Sequence, residues 1–253
     1  MSLTHDPTFR VTLAQDDRDL RAAQRLRYDV FVRELGGSGA LVDHDAGLER
    51  DRFDPFFDHL MLHDDRIGKV VGVYRMLRAE RAAAAGQFYS EDEYDLTALR
   101  ATGRRLLELG RSCVHRDYRG GPAMYHLWNG LASYVADHRI DILFGVASFH
   151  GTDVQALAGP LSLLHHRHLA PEALRVSARP PHAAPMDLLA EAQIDRRAAM
   201  VRVPALIKAY LRLGGVVGEG AYVDHGFNTT DVCLILDMAA MSARQKRIYG
   251  ALP

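Results

Sequence analysis

Residues 106–121, LLELGRSCVHRDYRGG, constrain the fold more than any other stretch of the chain. An apolar strand pattern carries two charges, Glu108 and Arg111, and runs into a basic, glycine-rich turn ahead of a helix opened by Pro122. Proline suits a first helical turn because its missing N–H would lack a partner there. Unpaired charge is costly inside a strand, so two charges in this one point to a use for them. Side chains alternate along a strand, and Glu108 and Arg111, three apart, would face opposite sides. For both to serve one site a residue must be inserted between them, and Gly110 suits such a bulge.

A glycine-rich turn and a helix N-terminus together form a cradle for an anion, since free N–H groups and the positive end of the helix dipole point to one place. Arg116, Arg119, Gly120 and Gly121 are the candidate cradle residues. A thioester on a phosphopantetheine arm would put its phosphate there and lie back along the strand. The plainer reading is an ordinary strand–helix connection. Turn composition alone favours that reading, and the two strand charges weigh against it.

The rest of the chain sets bounds. With 253 residues, 48% of them hydrophobic, it is expected to form a single domain over 1–253 with a C-terminal elaboration from about residue 170. A formal net charge of −1 argues against a nucleic-acid partner. There is no run of about 18 apolar residues and no signal-peptide pattern, which predicts a cytoplasmic protein. Cys113 and Cys233 sit in apolar segments and read as buried free thiols. No Cys/His spacing suits a metal, and His165, His166 and His168 read as a solvated helix end. No metal site and no bound cofactor are expected.

Taken in order, Phe9–Ala14 reads as a strand, followed by a helix capped by Asp16 or Asp17 and running to about Leu35. On that helix Arg27, Phe31 and Glu34 fall at i, i+4, i+7, either a solvated face or the edge of a cleft. Residues 36–58 form a long acidic loop with Asp43, Asp45, Glu49, Asp51, Asp54 and Asp58. Its acids lack calcium-loop spacing, leaving plain surface or a cation-binding role. A hairpin over 59–77 places Arg75 on an apolar face, where it must be paired or bind an anion. Helices are expected within 82–102, over 122–138 and up to His168. Strands are expected over 141–148, 220–224 and 231–237, and further helices over 204–213 and 239–249.

Four short motifs resemble acyl-homoserine-lactone synthases: Arg27-x-x-Val30-Phe31, Asp51-x-Phe53-Asp54, Gly72-x-x-Arg75 and Glu108-x-Gly110-Arg111. Gly110 departs from the serine usual there, and those synthases have nothing like the second half of this chain. A resemblance over nearly the whole length is to the ornithine N-acyltransferases of ornithine-lipid synthesis, sometimes labelled hemolysin-like. It is carried by 27–35, 57–78, 106–119, 144–151 and above all 205–232. No pore-forming segment supports the haemolytic label.

That resemblance implies an α/β fold of the GNAT acyltransferase type, with a mixed central sheet whose bulged middle strand is flanked by helices. It also implies transfer of a 3-hydroxyacyl group from acyl carrier protein to the α-amine of L-ornithine, giving lyso-ornithine lipid. The runner-up activity is an autoinducer synthase using acyl carrier protein and S-adenosylmethionine. An acetyl-CoA enzyme fits less well, because the turn lacks the usual pyrophosphate-loop spacing.

Within this frame the catalytic candidates are Glu108, Gly110 and Arg111. Glu108 is the first candidate base, with a structural pairing to Arg111 or Arg75 as the rival. A backbone N–H of the bulge would hold the oxyanion. By charge, Asp51, Asp54 and Glu34 suit the side-chain ammonium of ornithine, and Arg75 or Arg111 its carboxylate; Arg27 and Phe31 complete the substrate set. Arg116 and Arg119, and less directly Arg104 and Arg105, form a basic edge for the acidic carrier protein. A lipid product allows peripheral contact at the inner face of the membrane.

Overall fold

The computed structural model describes residues 6–248. In chain order the strands are β1 (Phe9–Leu13), β2 (Asp58–Asp64), β3 (Lys69–Arg78), β4 (Tyr94–Asp95), β5 (Leu106–Val114), β6 (Ile142–His150), β7 (Ser177–Ala178), β8 (Ala183–Ala184), β9 (Val216–Val217), β10 (Ala221–Asp224) and β11 (Thr229–Asp237). The helices are α1 (Asp17–Arg27), α2 (Ala79–Ala85), α3 (Thr97–Ala101), α4 (Ala123–Asp137), α5 (Ala158–His168), α6 (Arg196–Arg202), α7 (Ala205–Arg212) and α8 (Ala243–Ile248). Of the helix expected over 239–249, Tyr249 lies outside the described residues. The chain divides into two compact units. One joins the residues up to Ala85 to Leu109–Arg139, and the other joins Gly86–Glu108 to Ile140–Ile248, so the boundary falls inside β5.

In the first unit β1, β2 and β3 are antiparallel neighbours, with Val11 opposite Leu62 and His59 opposite Arg75. Asp16 caps α1 as the acidic first turn predicts, its carboxylate accepting from the Asp19 N–H at 2.9 Å. The α-helix stops at Arg27, however, and Tyr28–Glu34 is wound as a π-helix. The Leu35 N–H reaches back five residues to the Val30 carbonyl at 3.2 Å. Ala23, Leu26 and Val30 bury their apolar faces against Met61, Val73 and Cys113, and Phe31 packs on this cluster. On the same sheet, α4 sits close enough to crowd two glycines. A Cβ on Gly130 would lie 2.6 Å from Val11 Cγ1, and one on Gly72 would lie 2.8 Å from Leu127 Cδ1.

In the second unit β6 and β11 pair antiparallel over their full lengths, Ile142 to His150 against Asp237 to Thr229. The start of β5 pairs parallel with β6 at Leu106–Glu108, and β10 and β8 continue outward from β11. The sheet is therefore mixed. Residues 142–145 are all buried, as the unbroken apolarity of 141–148 predicts for a strand covered on both faces, but from Val146 burial alternates and Ser148 and His150 are exposed. α7 uses Ile207 and Tyr210 for core packing. Among the described residues no helix is long and apolar enough to cross a membrane.

β5 itself breaks the strand pattern where the sequence predicts a bulge. Leu106–Leu109 are all buried and Gly110–Ser112 all half-buried, so two-residue alternation is lost. Arg111 has φ +48°, a left-handed conformation rare for a residue with a side chain and rarer inside a strand.

Candidate active site

The first unit holds a largely buried network of three arginines and three carboxylates. Arg27 comes from the end of α1, Arg75 from β3 and Arg111 from the break in β5. The loop before β2 supplies Glu49, Asp51 and Asp54. Arg27 Nε donates to Glu49 Oε2, and its Nη1 to Asp54 Oδ1 at 2.6 Å. Arg75 Nη1 donates to the same Asp54 oxygen at 2.8 Å and to Asp51 Oδ2 at 2.6 Å. Arg111 Nε donates to Glu49 Oε1 at 3.1 Å, and its Nη2 lies 3.5 Å from Asp51 Oδ2. The Gln24 side-chain amide fills Asp54 Oδ2 at 2.9 Å. The Arg75 guanidinium also lies 4.1 Å from the centre of the Phe57 ring.

Burial sorts these groups. Arg27, Glu49 and Arg75 are each 1% exposed and Asp54 3%, whereas Asp51 is 18% and Arg111 13% exposed. The interior of the network is buried, and its open edge presents one carboxylate beside one guanidinium. Three positive and three negative charges balance, which is what makes burial of six ions tolerable.

At the start of β5, Glu108 is 1% exposed. It accepts from the Tyr89 N–H at 2.7 Å, from the Ser90 N–H at 2.6 Å and from the Ser90 hydroxyl. These three donors hold the carboxylate in place. After β5, Gly120 has φ +76° with open space where a side chain would stand, and α4 begins with no acid in its first turn and no side-chain cap. Arg119 donates from Nε to the Val114 carbonyl at 2.8 Å, and its other nitrogens pair with Glu34. Asp29, Val30, Arg33, Glu34, His115 and Arg116 line a cleft beside this turn.

The N-terminal half of the chain, residues 26–129, matches the acetyltransferase (GNAT) domain family. The chain is 60% identical over 247 residues to an L-ornithine N(alpha)-acyltransferase of Rhodobacter capsulatus, spanning 96% of this chain and 95% of that protein. It is 41% identical to the Brucella abortus protein of the same name, over 96% and 89% of the two chains. The chain belongs to the L-ornithine N(alpha)-acyltransferase family. Two solved structures share its fold at low identity. One is the acyl-homoserine-lactone synthase LasI, with a TM-score of 0.53 at 16% identity over 98% of both chains. The other is FeeM, an N-acyl amino acid synthase from uncultured soil microbes, with a TM-score of 0.53 at 12% identity over 96% of this chain and 99% of that one. The chain is thus an acyltransferase with a GNAT domain.

Family membership leaves the placement of individual residues to the geometry. Arg75, expected to be paired or to bind an anion, is paired. Arg27, Phe31 and Glu34 do not form one line. The wider π winding turns Arg27 into the network and Phe31 onto the core, and leaves Glu34 at the surface with Arg119. Asp54, expected to meet an ammonium, is enclosed by two guanidiniums and an amide; of the loop acids considered for that task, Asp51 is at the open edge. Arg104, considered for the basic edge, is held by Asp237 at 2.5 and 2.7 Å. Burial pushes the Cys113 thiol up to about 12, which removes it as a nucleophile. Glu49 was not singled out by sequence, because nothing in the spacing of an acidic loop separates it from Asp43 or Asp45. Sequence also gave no sign of a carboxylate trio in the second unit, Glu93, Asp224 and Asp231, whose oxygens lie within 4.8 Å of one another.

The network ties stability to pH. Burial pushes the Glu49 carboxyl up, but the Arg111 and Arg27 guanidiniums outweigh it and hold the group at about 2. Arg27 and Arg75 likewise hold Asp54 well below the usual carboxylate range against its burial. A carboxyl whose folded value lies below its unfolded value stabilises fully above the unfolded value, and that stability is lost as pH falls toward the folded one. These two carboxyls are therefore expected to contribute their full stability above about pH 4.5 and to lose it as pH falls from there toward 2, seen as a steep fall in thermal melts over that range. The fall should be shallower in Glu49→Gln; parallel slopes for the two proteins would contradict this assignment.

Proposed function

We propose that the protein transfers a 3-hydroxyacyl group from the phosphopantetheine thioester of acyl carrier protein to the α-amine of L-ornithine, yielding lyso-ornithine lipid. The observation that carries this reading is the open edge of the ion network. Asp51 and Arg111 stand side by side there, one partner for an ammonium and one for a carboxylate, as a zwitterionic amino acid requires. The names of the curated relatives supply ornithine as the amino acid.

In this reading the deprotonated α-amine attacks the thioester carbonyl, a C–N bond forms and the C–S bond breaks, and the pantetheine thiol takes up the proton the amine gives up. A backbone N–H at the Gly110–Arg111 break stabilises the oxyanion of the tetrahedral intermediate. Gly120, Gly121 and the uncapped start of α4 cradle the phosphate, with Arg116 and Arg119 beside them. Glu34 holds Arg119 until the carrier docks. Glu108 acts as a fixed acceptor that shapes the turn before it. The enzyme works in the cytoplasm, at the inner face of the membrane that receives its product.

Asp51→Asn tests the amino-acid site. Loss of one charge-assisted contact is expected to raise the ornithine KM by about tenfold or more, with the thioester KM changed by less than about twofold. An unchanged ornithine KM sinks the assignment.

A further inference from the structure

We infer that Glu49 is a positioning residue for acyl transfer: by holding the Arg111 guanidinium it keeps the break in β5 in its left-handed form, and so acts on the chemical step through Arg111. The inference rests on the proposed role of that break in meeting the thioester carbonyl.

Glu49 is 1% exposed, too deeply buried to face solvent. Its two oxygens serve different arginines, Oε2 receiving Arg27 Nε and Oε1 receiving Arg111 Nε. The carboxylate is delivered from a fixed backbone. The Glu49 N–H donates to the Gln24 carbonyl at 3.2 Å, and the preceding Leu48 exchanges two backbone hydrogen bonds with Asp43, at 2.8 and 2.9 Å. Arg27 is anchored in turn by Asp54 at 2.6 Å. Glu49 therefore links the left-handed residue of β5 to the end of α1.

Arg111 needs such a link. A left-handed residue with a side chain is strained, and it persists only where its surroundings over-determine it. Asp51 lies farther from Arg111, at 3.5 Å, and is 18% exposed, while Glu49 is buried and at 3.1 Å. The Arg111 and Arg27 guanidiniums favour its ionised form against its burial. Removing its charge takes away the buried carboxylate that opposes relaxation of Arg111 to an ordinary extended conformation, and such relaxation would turn the neighbouring N–H groups away from the carbonyl.

The test uses four variants of the full chain: Glu49→Gln, Glu49→Asp, Arg111→Gly and Arg111→Ala. Glu49→Gln is expected to lower kcat by about tenfold or more with both KM values within about threefold. Glu49→Asp keeps the buried charge but withdraws it by one methylene, so it should show the same kcat loss and serves if Glu49→Gln fails to fold. Glycine adopts the left-handed form freely and alanine does not, so Arg111→Gly should retain more kcat and melt higher than Arg111→Ala. In the Arg111→Gly background, Glu49→Gln should cost less than about a further twofold in kcat. A rise in KM with kcat kept, equal behaviour of Arg111→Gly and Arg111→Ala, or a full Glu49→Gln effect without Arg111 overturns the inference. Absence of acylornithine from the wild-type enzyme overturns the functional reading and with it the catalytic role. The melting comparison then still decides whether Glu49 sets the Arg111 backbone.

Discussion

Replacing Asp54 with alanine is expected to cost about 3–5 kcal/mol, the range for removing one partner of a buried ion pair. Asp54 Oδ1 accepts from both Arg27 and Arg75, Oδ2 from Gln24, and its main-chain oxygen pairs with His59 Nε2 at 3.0 Å. Without the carboxylate two guanidiniums at 1% exposure face each other with one neutralising charge fewer. Urea melts should show the loss as a lower midpoint at unchanged slope. Asp29→Ala, which removes an exposed partner of Arg33 on the π-helix, is the control and should shift the midpoint far less. Equal shifts would mean that the six-ion network adds no more than a surface pair does.

Glu108→Gln is expected to destabilise by about 3 kcal/mol, since an amide cannot accept from all three donors and leaves at least one buried N–H facing another. The variant should still show the acidic limb of the kcat/KM–pH profile of the wild type, because the buried carboxylate is taken up by Tyr89 and Ser90 rather than turned to a substrate. If that limb disappears while the protein stays folded, Glu108 is the base and its three donors serve to aim it.

What was legible in the sequence were charges in the wrong surroundings. Arg75, Glu108 and Arg111 stand out because strands that are otherwise apolar do not carry ions without partners, and all three have them. Gly110 marked the break in β5, although the strained dihedral falls on the next residue, Arg111. The two-residue and three-to-four-residue periods placed the principal strands and α4 and α7 within a few residues, whereas α1 stops at Arg27, eight residues before its expected end.

Other features depend on the path of the backbone, which no period encodes. An i, i+4, i+7 line cannot distinguish an α-helix from the π winding of Tyr28–Glu34, and only that winding separates Arg27 from Glu34. The acids of residues 36–58 look alike in sequence. The reciprocal Asp43–Leu48 bonds leave Asp43 paired with Arg50 near the surface and turn Glu49 inward. That turn decides which carboxylate meets Arg111.

The measurement that bears most directly on the functional reading is product analysis with the purified full chain. It would be given 3-hydroxyacyl carrier protein, ornithine labelled with nitrogen-15 at the α position, competing amino acids including lysine, and S-adenosylmethionine in a parallel reaction. Mass spectrometry should find the acyl group on the labelled nitrogen of ornithine, and free carrier thiol in equal amount. Acylation at the side-chain nitrogen, a lactone from S-adenosylmethionine, or no acyl product with any acceptor would contradict it.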